Sequence, residues 1–212
     1  MEQDIIATSA NMQAVQEKPS PESGGLRERK RLETYARIQV EAMRLFGERG
    51  FEATTLDDIA GAANVSRRNV LNYFASKEEI VFSTKAALPD LVAEAISRRP
   101  AKEPLLDMVE NALVDLAASY QSPQVRGLAQ LIRDTPALRA GDQAKYEQVE
   151  QVLAKALADR KQLPEGDIAC RVVAATAIGI QKLAVAAWLN DGDVGLEAHS
   201  RAAFGALRNI AR

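Results

Sequence analysis

TLDDIAGAANVSRRNVLNYF, residues 55–74, is the stretch on which the reading of this chain turns. Leu56, Ile59, Ala60 and Ala63 fall at helical spacing behind Thr55, a residue type that caps helix starts. Asn64 and Val65 then form a turn, and Ser66 caps a second short helix running from Arg67 to about Phe74. Ser76 caps a third, with Glu79 where a capping box places its acid. Two short helices joined by a turn of about three or four residues make a helix-turn-helix, whose second helix enters the DNA major groove.

The second helix has a readable rotation. If Val70 and Phe74 face the core, then at about 100° per residue Arg68 and Asn72 point outward. Arg67, Asn69, Leu71 and Tyr73 flank them, and no carboxylate stands on that face. Arginine can bond guanine bidentately, asparagine suits adenine, and an apolar side chain can meet a thymine methyl. Arg67 and Arg68 would serve equally as solvated charges, but cations at a helix amino terminus oppose its dipole, so phosphates or base edges explain them better.

Upstream, Ile38, Ala42, Leu45 and Phe46 form one stripe on a 3.6-residue period, and Gly50 ends that helix. Arg27, Arg29, Lys30 and Arg31 lead into it. This basic cluster reads either as an arm that adds salt-sensitive affinity for DNA or as a solvated helix start interspersed with Glu28 and Glu33. Residues 1–25, rich in Gln, Ser, Pro and Glu, read as a disordered tail.

Downstream, breaks near Pro89, Pro100, Pro104, Pro123, Pro136, Pro164 and Gly192 separate longer helices. The expected spans are roughly 77–97, 104–120, 123–133, 138–161, 166–190 and 195–210. Pro89 must kink the first of these or split it. The expected fold is all-α: a three-helix helix-turn-helix domain over 26–80, then a larger helical regulatory and dimerisation domain over 81–212. Valine and isoleucine never alternate over a strand length, and alanine abounds.

Composition narrows the function classes. The net charge of −2 is silent about nucleic acid but compatible with a local basic face. Cys170 and His199 are the single cysteine and histidine, so metal sites and Ser-His or Cys-His catalysis lose most of their usual groups. With no paired carboxylates at metal-ligand spacing, no Gly-rich phosphate loop and no nucleophile motif, neither an enzyme nor a cofactor or metal site is expected. No run is read as approaching the roughly 20 apolar residues that span a bilayer, and the start lacks the features of a secretory signal. No membrane role is expected, and the cytoplasm is the expected location.

The run from Ile38 through Phe82 resembles the DNA-binding domain of the TetR family of transcriptional regulators. The matching residues are Ile38, Ala42, Leu45, Phe46, Gly50, Phe51, Thr54, Thr55, Ile59, Ala60, Ala63, Val65, Ser66, Tyr73, Phe74, Lys77 and Glu78. The resemblance implies a homodimer on a palindromic operator in double-stranded DNA, released by a small-molecule effector. It implies that Thr55, Tyr73 and Lys77 hold phosphates, that Arg67, Arg68 and Leu71 meet bases, and that Asn69 and Asn72 do either; Ser66, at the start of the reading helix, belongs to the same set. Many relatives carry glycine where Arg68 stands and tyrosines where Leu71 and Asn72 stand, so their operators do not transfer. A DNA-binding regulator without a small-molecule inducer is the alternative, and a helical enzyme a more distant one.

The family's last two helices form a four-helix dimer interface. Here Ile168 to Leu189 is nearly uncharged, with Ala169, Val172, Val173, Thr176, Ile180, Leu183 and Ala187 on one face and Ala174, Ala177, Ile178 and Ala186 opposite. A helix apolar nearly all round needs cover on both sides, from its own core and from a partner, although a core helix within one subunit reads the same way. Leu196, Ala203, Phe204 and Leu207 are expected to add a second face. The ligand-binding residues stay unassigned; Met108, Tyr120 and Tyr146 are candidates that read equally as core. Trp188 and Cys170 read as packing, and His199 as solvated or interfacial.

Overall fold

The computed structural model describes residues 25–120, 122–191 and 194–210, so the expected tail lies, but for Gly25, outside the described residues. Among these residues there are ten α-helices and no strand. They are α1 Leu26–Arg49, α2 Leu56–Ala62, α3 Arg67–Tyr73, α4 Lys77–Ser83 and α5 Leu88–Ser97. Then follow α6 Leu105–Ser119, α7 Pro123–Asp134, α8 Pro136–Lys161, α9 Ile168–Asn190 and α10 Leu196–Ile210. The span expected over 77–97 is two helices. Pro89 lacks an N–H to donate, so it stands in the first turn of α5 rather than inside a longer helix.

The helices group into two compact units. The first comprises the described residues up to Ala87 together with Leu131–Gly141; the second comprises Leu88–Gln130 and the described residues from Asp142 onward. The first unit closes around the α1 stripe, with Ile38, Ala42, Leu45 and Phe46 all buried. Phe51, Ile59, Ala63, Val70, Phe74 and Ile80 are buried with them. Gly50 turns the chain out of α1 at φ 84°, and Asn64 makes the interhelical turn at φ 51°, both in the left-handed region. Gly141 admits no side chain, since a β-carbon there would lie 2.3 Å from Cε2 of the Phe82 ring.

In the second unit α6, α8, α9 and α10 bury Met108, Val109, Leu153, Leu157, Ala174, Ala177 and Phe204 in one core, with Val92 and Ile96 of α5. Arg160 and Lys161 at the end of α8 hold the loop after α5. The Arg160 side chain donates to the Arg99 carbonyl at 2.6 Å, and Lys161 to those of Ala101 and Glu103 at 2.9 and 2.6 Å. Arg99, hydrogen-bonded to Glu103, keeps that carboxyl below the usual glutamate range.

Three expectations about this unit need correcting. By length and composition α9 is apolar enough to cross a bilayer, with a mean hydropathy of 1.7, contrary to the reading that no run approaches that length. Its inward positions, Cys170, Ala174, Ala177, Ile178, Ile180, Ala184 and Trp188, are spent on the protein core. Ile180 therefore belongs to the inner face, while Ile168, Val172 and Leu183 stay 69%, 56% and 68% exposed. Leu196 and Phe204 of α10 are likewise buried in their own subunit and offer no second outward face. His199, expected as solvated or interfacial, is half-buried, and its Nε2 has no hydrogen-bond partner among the described residues, 3.8 Å from an Asp191 carboxylate oxygen.

Phe204 has no exposed surface and sits where α10 meets the rest of the core. Phe204→Ala is expected to cost about 3–5 kcal/mol. Urea unfolding checks this: the midpoint should fall while the slope against denaturant stays at the parent value.

Candidate DNA-binding site

Each helix of the candidate site starts on a side-chain cap. Thr55, Ser66 and Ser76 accept the N–H groups of Asp58, Asn69 and Glu79 at 3.1, 3.1 and 3.2 Å. These caps satisfy N–H groups that a short helix cannot bond internally. The reciprocal capping box lies at Thr55, where Asp58 accepts the Thr55 N–H at 2.9 Å. It is not at Ser76, because the Glu79 carboxylate takes the N–H of Ala75 instead. Hydrogen bonds from Thr55 also hold the Asp58 carboxyl below the usual aspartate range.

With α3 only seven residues long, its rotation is set by what it buries: Val70 at 0% and Phe74, just past its end, at 1% exposure. Tyr35 of α1 covers Phe74, ring centroids 4.6 Å apart, and meets Tyr73 edge-on at 6.4 Å. Ser66, Arg67, Arg68, Leu71 and Asn72 are therefore exposed, and Asn69 and Tyr73 half-buried. Arg68 and Asn72 make no hydrogen bond or ion pair among the described residues, and Leu71 is 45% exposed. Arg67 is held by Asp57 of α2 at 3.1 Å, an exposed pair of a kind worth about 0–1 kcal/mol. The structure thus gathers Arg67, Arg68, Asn69, Leu71, Asn72 and Tyr73 on one helix, with Thr55 exposed at the start of α2.

Lys77 is different. Its ammonium donates to the carbonyls of Phe51 and Thr54, both at 2.8 Å, and lies 4.5 Å from the Phe51 ring centroid. Two of its three donors close the loop that leads into α2, leaving one to face outward. Thr54, fully buried, binds the same loop by donating to the Gly50 carbonyl at 2.8 Å. Sequence reasoning missed the roles of Asp57 and Thr54. A Thr54-Thr55 pair beside one cap position was the available signal.

Two of the three small-molecule candidates, Met108 and Tyr146, are placed as packing residues. Met108 is wholly buried in the core of the second unit and Tyr146 packs against that core. Burial pushes the Tyr120 and Tyr146 hydroxyls above the ordinary tyrosine range.

Fold and exposed helix face together define an all-helical, helix-turn-helix DNA-binding protein. Comparison with known proteins narrows this. Residues 38–84 match the family described as bacterial regulatory proteins, tetR family, and residues 103–211 match the MftR C-terminal domain. The chain belongs to the tetR family of transcriptional regulators.

It is 28% identical to the HTH-type transcriptional regulator TcmR of Streptomyces glaucescens, over 95% of this chain and 93% of that one. It is 33% identical to MftR of Mycobacterium tuberculosis, a protein named for regulation of mycofactocin biosynthesis, over 83% and 90% of the two chains. Among solved structures, FadR of Thermus thermophilus in complex with lauroyl-CoA shares the fold. Its TM-score is 0.56 at 22% identity, over 82% of this chain and 93% of that one.

Lys77→Ala removes two hydrogen bonds and a cation–π contact from a half-buried site. The loss expected is about 1–3 kcal/mol, seen as a lower thermal midpoint without any DNA present.

Proposed function

We propose that the chain is a dimeric repressor lifted from a palindromic operator by a small ligand, acting in the cytoplasm where the operator lies. The observation that carries the DNA-reading part is the outer face of α3. Arg68 and Asn72 stand exposed and unengaged, with Leu71 beside them and no carboxylate among them. Arg68 is the residue best suited to a guanine and Asn72 to an adenine, while Leu71 supplies apolar contact for a thymine methyl. Arg67 reaches either a base or a phosphate after leaving Asp57, and Asn69 lends an amide to the same groove. Thr55, Ser66 and Tyr73 border the groove and contact phosphates. Lys77 contributes through its remaining donor, and chiefly by fixing the loop that carries Thr55.

The dimer rests on the uncovered side of α9. Ile168, Val172 and Leu183 are large apolar residues left in water along one side of a helix otherwise packed into the core, with the small Ala175 and Gly179 exposed between them. Such a stripe is stable only when covered. A two-fold related copy is the partner, and it would set two reading helices about 34 Å apart, one DNA turn.

Release by a ligand draws its support from the fold relative bound to lauroyl-CoA. The effector must bind the released conformation more tightly than the DNA-bound one, since equal affinity shifts nothing.

Two measurements test this reading. Against a duplex selected from a random library by the full-length protein, Arg68→Ala is expected to weaken binding by about 1–3 kcal/mol and to relax preference at one base pair. A variant that keeps the parent's affinity and base preference would end the proposed docking. Leu183→Asp is expected to convert the protein to a monomer in light scattering and to abolish tight binding to the palindrome. A variant that stays dimeric would place the interface elsewhere.

A further inference from the structure

The described part of α1 begins well before the domain core does. Its first fully buried residue is Ile38, whereas every residue from Leu26 to Glu33 is exposed. Eight helical residues, about 12 Å, therefore project beyond the core. Among the described residues, no packing explains why they are helical. The ion pairs there are exposed ones, Arg31 with Glu28 at 3.3 Å and Arg29 with Glu33 at 3.9 Å, and such pairs stabilise a helix by only about 0.2–0.5 kcal/mol each. The four cations Arg27, Arg29, Lys30 and Arg31 also crowd the amino-terminal end, where the helix dipole disfavours them.

The direction of these side chains carries the inference. At about 100° per residue, Arg27 and Arg31 lie on the side of α1 that farther along buries Ile38, Ala42 and Leu45. One turn after Arg31 on that side comes Tyr35, whose ring packs on Phe74 and Tyr73 at the end of α3. The buried stripe thus continues past the core as an arginine stripe, on the side where the reading helix lies. Arg29 points to the opposite side.

We propose that the projecting turns of α1 are a second duplex-DNA contact, in which Arg27 and Arg31 take backbone phosphates flanking the groove read by α3. This rests on the reading of α3 as the groove-entering helix. A duplex carries one charge per about 1.7 Å of axis, so an overhang of this length spans several phosphates. Phosphates, unlike base edges, demand no fixed side-chain geometry, which suits two flexible arginines on a solvated helix.

The test uses the full-length protein, a fluorescein-labelled duplex selected from a random library, and an unrelated duplex of equal length. Binding is followed by anisotropy between about 50 and 200 mM salt. Arg27→Gln with Arg31→Gln should flatten the plot of log affinity against log salt by about 1.8 per subunit. It should weaken both duplexes, by about tenfold more per subunit at 50 than at 200 mM salt, with the preference between them unchanged. Glutamine matches arginine in helix propensity, so loss of the helix does not mimic the effect. Arg29→Gln, one charge on the opposite side, should move the slope by less than half as much.

A double variant with the parent's slope overturns the proposal, as does an Arg29→Gln variant that flattens the slope by half as much or more, the same effect per charge removed and so a general charge effect. A loss of preference between the duplexes would assign the arginines to bases and overturn the phosphate contact. In each of these cases the parent still binds its selected duplex and the reading of α3 stands. A parent that binds no duplex removes both.

Discussion

The burial of Val70 and Phe74 beneath α1 is the constraint on which the DNA-facing surface depends. A helix of seven residues has little stability of its own in water, since nucleation costs more than so few hydrogen bonds return. The Ser66 cap and the two buried side chains supply what propensity cannot. Because those side chains lie on one line, they fix the rotation of α3 and leave the opposite line to solvent. Tyr35 closes over Phe74, so α1 both roofs the core and sets where α3 ends. Lys77 and Thr54 act one step earlier, binding the loop from which α2 starts and hence the place of the turn at Asn64.

What was legible in the sequence was local. A cap and the N–H it accepts are three residues apart, and a buried stripe repeats within two turns, so Thr55, Ser66, Ser76 and the α1 stripe could be placed from the residues alone. The outer face of α3 followed from Val70 and Phe74 by rotation. What escaped was non-local. Lys77 looks like a free cation at a helix start, because its acceptors stand 23 and 26 residues earlier in the chain. The Arg67 partner is ten residues back, across the turn. On α9 the difficulty was of another kind. Where nearly every position is apolar, periodicity loses its contrast, so Ile180 and Leu183 could not be sorted into inner and outer faces until the core around them was known.

Electrostatics shows the same division between whole and part. A net charge of −2 over 212 residues gives no hint of a polyanionic partner. Within the helix-turn-helix, Asp58 is engaged by its cap and Asp57 by Arg67. The exposed Arg67–Asp57 pair is weak enough that, on the proposed docking, it would be exchanged for a phosphate at little cost. A strong buried pair at that place would have removed the arginine from use.

On the proposed docking, folding and recognition would use opposite sides of the same seven residues. Substitutions at Arg68, Leu71 or Asn72 leave Val70 and Phe74 where they are, so the outer face can change without a change of fold. On the proposed docking, the identities of Arg68, Leu71 and Asn72 would bear on the operator rather than on stability: a guanidinium offers paired donors, an aliphatic side chain a methyl contact and an amide a base-pairing edge. On that docking the frame sets where DNA would be read, and Arg68, Leu71 and Asn72 are among the exposed side chains that would read it.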